Sequence, residues 1–245
     1  MGRLFSTCWQ AILEVLFPSS CAACGQKLIQ EEQFICASCL SSICRTEHTI
    51  LPNNGIDMLF AKQITENHIK VQYRKGAAFA YYNRTRGHIL RTLIELGKFG
   101  THPNPKIFYE LGKLAAQEYI DSDLWDDVDL LVPIPLHQRR LRERGFNQAE
   151  WICRGLSDIL HIPIDTEHLV RVKNNPHQSR SPFQKRSDNV DNIFTIHYPE
   201  EWKKRHIMLV DDVITSGSTI VSCMKLTSSI RGCSVSVFTL GWAHN

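Results

Sequence analysis

The stretch HIMLVDDVITSGST, His206 to Thr219, decides how the rest of the chain is read. Ile207 to Val210 are four successive apolar residues, the composition of a strand covered on both faces in a parallel sheet. Asp211 and Asp212 stand at its carboxyl end. Thr215, Ser216, Gly217, Ser218 and Thr219 then turn into a helix that carries Ile220, Cys223, Met224 and Thr227 on one face. Open α/β sheets bind ligands at the carboxyl ends of their strands. Amides and hydroxyls at a helix N-terminus cradle a phosphate, helped by the positive end of the helix dipole. The loop has no lysine, so it is not the G-x4-G-K-[ST] loop of a triphosphate site, and it suits a single monophosphate. Two carboxylates beside such a cradle would repel a polyphosphate, but they suit the hydroxyls of a vicinal diol. The stretch therefore reads as a ribose 5-phosphate pocket, with Asp211 and Asp212 on the ribose and residues 215 to 219 on the phosphate. For the aspartate pair alone, a surface turn with an Asp-rich cap is the alternative.

Outward from this stretch, strand and helix patterns alternate. Gly76–Tyr82 reads as a strand, and Ile89, Leu90, Leu93, Ile94 and Gly97 share one helical face. Asn104-Pro105 opens a second helix through Ile107, Phe108, Leu111, Leu114, Ala115 and Tyr119. Asp129–Leu136 is a short buried strand, followed by an Arg-rich helix to about Leu160 and a loop-rich region from Lys173 to Asp191. IFTIH, HIMLV and SVSVFTLGW complete the strands. This alternation predicts a parallel sheet flanked by crossover helices.

The first fifty residues are different. They hold six of the nine cysteines, and CAAC-GQKLIQEEQFI-CASC spaces Cys21, Cys24, Cys36 and Cys39 as two C-x2-C pairs eleven residues apart. Each pair can form a knuckle of two thiolates, with Gly25 suited to the turn, and four sulfurs close a tetrahedral shell around a structural Zn2+. Cys8 and Cys44 are spare or alternative ligands. The turn-rich ILPNNGID marks a boundary, giving a helix and zinc-binding module over 1–50 and an α/β domain over 51–245.

At 245 residues, 43% hydrophobic and 22% charged, the chain is globular rather than disordered, and its net charge of +3 does not by itself imply nucleic-acid binding. MGRLFSTCWQAILEVLFPSS reads as an amphipathic helix through Leu4, Phe5, Cys8, Trp9, Ile12, Leu13 and Leu16, ended by Pro18. It packs on the chain, or docks on a membrane or partner. Gln10 and Glu14 break it short of a membrane span, and no small-x-small cleavage site follows, so a cytoplasmic protein is expected.

LVDDVITSGST resembles the ribose-phosphate motif of type I phosphoribosyltransferases, which use 5-phosphoribosyl 1-diphosphate (PRPP) and Mg2+. VPIPLHQRRLRERGFNQAE, QSRSPFQKRSDNVDNIF and the four-cysteine module resemble the ComF/ComFC group of competence and DNA-uptake proteins, and the likeness covers nearly the whole chain. Ser216 stands where threonine is usual and Ser218 where alanine is usual, and both keep the loop small and polar. The resemblance implies a type I phosphoribosyltransferase-like sheet with a zinc-ribbon-like module in front. It also implies a diphosphate loop at Pro133, Ile134 and Pro135, whose amides can face the leaving group. One or more of Arg139, Arg140, Arg142 and Arg144, with Lys98 as a weaker candidate, would stabilise the diphosphate.

Arg140, Arg142 and Arg144, with Arg171, Lys173, Arg180, Lys185 and Arg186, form a candidate basic face for single-stranded DNA, on which Phe146 or Phe183 could stack. A solvated helix face and a solvated loop have the same composition. Three functions stay open on sequence: a phosphoribosyltransferase with unknown acceptor in DNA uptake, a non-catalytic PRPP-sensing module that engages DNA or competence proteins, and a transferase of nucleotide or sugar metabolism.

Overall fold

Strand β5, His206–Ile214, is the inner strand around which the sheet is ordered. The computed structural model describes residues 20–29, 32, 34–82, 88–99, 103–172 and 193–243. β5 pairs in parallel with β2 (Leu130–Pro133) on one side and with β6 (Ser234–Trp242) on the other, and β1 (Gln72–Tyr81) lies beyond β6. A short antiparallel ribbon of β3 (Leu169–Arg171) and β4 (Phe194–Ile196) stands apart from this sheet.

Side chains alternate across β5, as a strand requires. Met208 and Val210 join the layer built by α3 (Ile89–Phe99), α4 (Lys106–Glu118) and α6 (Gln148–Leu160), beside Leu93, Leu111 and Leu156. Ile207 and Leu209 join the opposite layer, built by α2 (Gly55–Glu66), α7 (Ser218–Thr227) and the ribbon, beside Phe60, Met224 and Phe194. The predicted parallel sheet flanked by helices is present.

Four details differ from the sequence reading. The aspartates lie inside β5 rather than after it, because Val213 and Ile214 still pair with Gly241 and Trp242 of β6. On the other side β2 stops at Pro133, opposite Val210, so β5 loses that neighbour just before Asp211. The Arg-rich helix is two helices: Gly145, at φ 85°, ends α5 (Gln138–Arg144), and the Asn147 side chain caps α6 by accepting from Ala149 N. Helix α2 begins inside the stretch taken as a boundary, where the Asn54 side chain accepts from Ile56 N and Asp57 N.

The cysteine segment, with the short α1 (Ala37–Ser41), shares one core with the sheet: Cys21, Leu28, Ile35 and Ile43 belong to the same apolar cluster as Ala80 and Leu111. Arg45 makes a two-pronged ion pair with Glu118 of α4 and lies 4.2 Å above the Phe79 ring. Tyr81 N donates to Cys44 O along the outer side of β1, and the 163–165 segment pairs with Leu131 along the outer side of β2.

Helices α4 and α6 meet backbone to backbone through two glycines. A Cβ at Gly155 would fall 2.1 Å from Tyr109 O, and one at Gly112 would fall 2.5 Å from Ile152 O. Gly155→Ala should therefore destabilise the protein by about 1–3 kcal/mol through overpacking, read as a lower denaturant midpoint at an unchanged m-value.

Candidate functional site

Alternation gives the two aspartates different packing neighbours, while their carboxyls stay within reach of each other. Asp212 follows Met208 and Val210 into the α3–α4–α6 layer, where its side chain is 7% exposed. Its Oδ1 accepts from Val213 N at 2.9 Å, and its Oδ2 is ion-paired with Lys98 Nζ and has no hydrogen-bond partner among the described residues. Lys98 comes from the last turn of α3, and that turn is pressed onto α4, since a Cβ at Gly97 would meet the Phe108 ring at 2.6 Å. Asp211 follows Ile207 and Leu209 to the other face. One of its oxygens accepts from Asp212 N at 2.8 Å, and its carboxyl stays close to that of Asp212. Burial, and then the charge of Asp212, push the Asp211 carboxyl up to about 8, against the opposing pull of Asp212 N and Lys98.

The 215–219 loop enters α7 through Gly217, at φ 74°, a conformation that glycine alone adopts without strain. A Cβ there would also meet Phe60 at 3.1 Å. Thr215, Ser216 and Ser218 are exposed, and Ser216 Oγ donates to Ser218 Oγ at 3.1 Å. The N-cap residue Gly217 has no side chain to cap α7, and Ser218 N donates to Ser216 Oγ at 3.5 Å. First-turn amides with the helix dipole behind them are groups able to face an anion.

The end of β2 is less open than expected. Ile134 N donates to Val210 O at 2.9 Å, and Pro133 and Pro135 have no N–H. These three residues thus offer no amide to an anion. Asn147 holds the turn in place, donating from Nδ2 to Ile134 O at 3.1 Å while its Oδ1 caps α6. This asparagine was not singled out from sequence, although an Asn just before a helical run is a recognisable cap signal.

The arginines divide by helix face. Arg139 is turned outward and paired with Glu143 at 2.9 Å. Arg142 is exposed. Arg140 and Arg144, four residues apart, share the inner face. Arg144 donates to Gln148 Oε1 at 2.5 Å and lies 5.4 Å from the Phe99 ring centre. Burial depresses its pKa, and the nearby Asp212 pulls the other way. Arg171, at the end of β3, lies 5.3 Å from the Phe194 ring centre and within electrostatic reach of Arg140 and Asp211. Lys98, Arg140, Arg144 and Arg171 are thus gathered around the aspartates. Phe146 packs on Phe108, with ring centres 6.1 Å apart, and is too buried to stack on a base. Lys173, Arg180, Phe183, Lys185, Arg186, Cys8 and the N-terminal helix lie outside the described residues.

The sulfur atoms of Cys21, Cys24, Cys36 and Cys39 all lie within 4.8 Å of one another. Tetrahedral coordination at about 2.3 Å per bond separates neighbouring sulfurs by about 3.8 Å. Cys24 and Cys36 are 3.7 Å apart. Burial pushes the Cys21 thiol up, but the N–H groups of Cys36, Cys24 and Ala23 outweigh it and bring the pKa to about 6, favouring a thiolate. Gly25 N closes the first knuckle on Cys21 O at 2.8 Å. The four residues fit a thiophilic metal ion, and Cys44 is outside the group.

No protein-family model matches the chain. It is a homologue of DNA-utilization and competence proteins. The DNA utilization protein YhgH of Escherichia coli (strain K12) is 28% identical over 234 residues, 91% of this chain and 96% of that protein. Competence protein F of Haemophilus influenzae is 36% identical over 99 residues, covering 40% of this chain and 43% of that one. Competence protein ComFC of Bacillus subtilis is 36% identical over 112 residues, 45% of this chain and 43% of its own. Among solved structures, adenine phosphoribosyltransferase of Leishmania tarentolae aligns over 78% of this chain and 89% of its own, at 14% identity and a TM-score of 0.35. A hypothetical protein from Neisseria gonorrhoeae with bound ppGpp aligns over 56% of this chain and 68% of its own, at 17% identity and a TM-score of 0.34.

A carboxyl whose pKa is higher folded than unfolded binds more protons in the folded state, so its contribution to stability falls as pH rises between the two values. For Asp211 that window runs from the usual carboxylate range, about 4, to about 8. Thermal melts of the wild type should lose stability across it, and Asp211→Asn should flatten the loss.

Proposed function

We propose that this chain is a phosphoribosyltransferase-like protein of natural competence, which binds PRPP at the carboxyl end of β5 and handles imported single-stranded DNA in the cytoplasm. The observation that carries the reading is the carboxyl end of β5. There β2 stops, Asp211 lies within electrostatic reach of Arg171, and the first turn of α7 follows within one loop. The phosphate would occupy the amides and hydroxyls of residues 215 to 219, and the ribose would meet the aspartate pair through Asp211. The names of the relatives support the link to DNA uptake.

In the transfer, the C1–O bond to the diphosphate breaks and pyrophosphate leaves with the electron pair. An acceptor lone pair then closes on C1, and the acceptor gives up its proton. Mg2+ bound to the diphosphate would supply neutralising charge. With no amide on offer from residues 133 to 135, the guanidinium groups of Arg140 and Arg144 are the better partners for the leaving anion, and Arg139, engaged with Glu143, is the poorer one. The exposed Arg142 and the segment with Arg180, Lys185 and Arg186 would contact the DNA backbone. In this reading residues 1–50 form a Zn2+ module seated on a transferase-like domain over 51–245.

Titration of PRPP with Mg2+ by calorimetry should give saturable heat with the wild type. The Asp211→Asn/Asp212→Asn variant should lose at least about tenfold in affinity, about 1.4 kcal/mol. No heat from the wild type would sink the ribose-phosphate assignment, and binding without pyrophosphate release in the presence of DNA would favour the sensing module. For the cysteine cluster, elemental analysis should find about one zinc per chain, lost in Cys39→Ser together with thermal stability.

A further inference from the structure

Adjacent residues of a strand face opposite ways, so Asp211 and Asp212 have different packing neighbours, although Asp212 and Lys98 both lie within electrostatic reach of the Asp211 carboxyl. Asp212 is enclosed, and the cation that answers its Oδ2 is Lys98, whose own side chain is only 18% exposed. A buried carboxylate without a partner is costly, and removing one member of such a pair leaves an uncompensated charge. Lys98 is therefore committed inward, away from any diphosphate held beyond the end of β2. We propose that Lys98 is a positioning residue: by pairing with Asp212 Oδ2 it makes Asp212 an internal counter-ion, and it leaves Asp211, on the opposite face of β5, to meet the ligand hydroxyl. This inference rests on the ribose-phosphate reading given above.

The charged and titratable surroundings fit this division. From α3, Lys98 faces Asp212, and from α5, Arg144 lies within reach of the same carboxylate. On the other side Arg171 from β3 and the Cys223 thiol from α7 lie within reach of Asp211, while Arg140 is close to Arg144 and Arg171. Arg171 lies within electrostatic reach of Asp211 and Arg144 within reach of Asp212.

The test compares wild type, Lys98→Met, Lys98→Arg and Asp212→Asn in calorimetric titrations with PRPP–Mg2+ and, separately, with ribose 5-phosphate, which has no diphosphate. Lys98→Met should weaken both ligands by a similar factor, about tenfold, the equivalent of one pKa unit. Lys98→Arg should restore most of the loss, and Lys98→Met/Asp212→Asn should be less than additive. In melts without ligand from pH 5 to 9, Lys98→Met should keep losing stability at higher pH than wild type, because the carboxylates have lost their cation. Loss of PRPP binding with ribose 5-phosphate unaffected would overturn the proposal and make Lys98 a diphosphate contact. Coincident wild-type and Lys98→Met melting profiles would overturn the pairing. A wild type that binds neither ligand would overturn the ribose-phosphate reading and the role of Asp211 with it, while the melts still judge the Lys98–Asp212 pair.

Discussion

A strand covered by helices on both faces has no side on which a carboxylate sits free, and β5 carries two in succession. Each needs its own answer. On one face the answer is the Lys98 ammonium, delivered by the last turn of α3. On the other it is partial relief through Asp212 N, together with a carboxyl pKa far above the usual range. The rest of the site is arranged around this asymmetry. α3 must reach the carboxyl end of the sheet, so its last turn is held on α4 through Gly97 and Phe108, and α4 in turn rides on α6 at glycine-to-backbone distance. A shift in the α4–α6 contact would be felt at Asp212.

Most of the sheet is legible in sequence because buried parallel strands are short apolar runs, and HIMLV and SVSVFTLGW have that length and composition. The strand ends are not legible, since they depend on how far each neighbour continues. β6 carries β5 on to Ile214, and β2 abandons it at Val210. Helix α2 is hidden because Asn54-Gly55 is equally good turn chemistry, and only the capping bonds to Ile56 N and Asp57 N decide for helix. The break between α5 and α6 is written in Arg144-Gly145-Phe146-Asn147, a glycine stop followed by an asparagine start, which the apolar spacing alone does not reveal.

The cysteine group is legible for a different reason, since its chemistry is local. Two thiols with two residues between them can meet one ion wherever the chain lies. The arginines are the opposite case. Their count marks a basic surface, but helical phase alone turns Arg139 toward Glu143 and solvent and Arg144 toward Gln148 and Asp212. Lys98 is farther still from sequence reach, because its partner is more than a hundred residues away and on a different element.

Strand-like pairing along the outer sides of β1 and β2 has a bearing on assembly. Residues 44–46 lie along β1 at Phe79 to Tyr81, and residues 163–165 lie along β2 at Leu131. Among the described residues the rims of β1 and β2 at these stretches are therefore already occupied, and another polypeptide finds no bare strand on them to extend. A companion protein that engages this end of the molecule must do so through side chains on loops and helices. Such contacts are exchangeable, whereas an added strand would weld the two chains together.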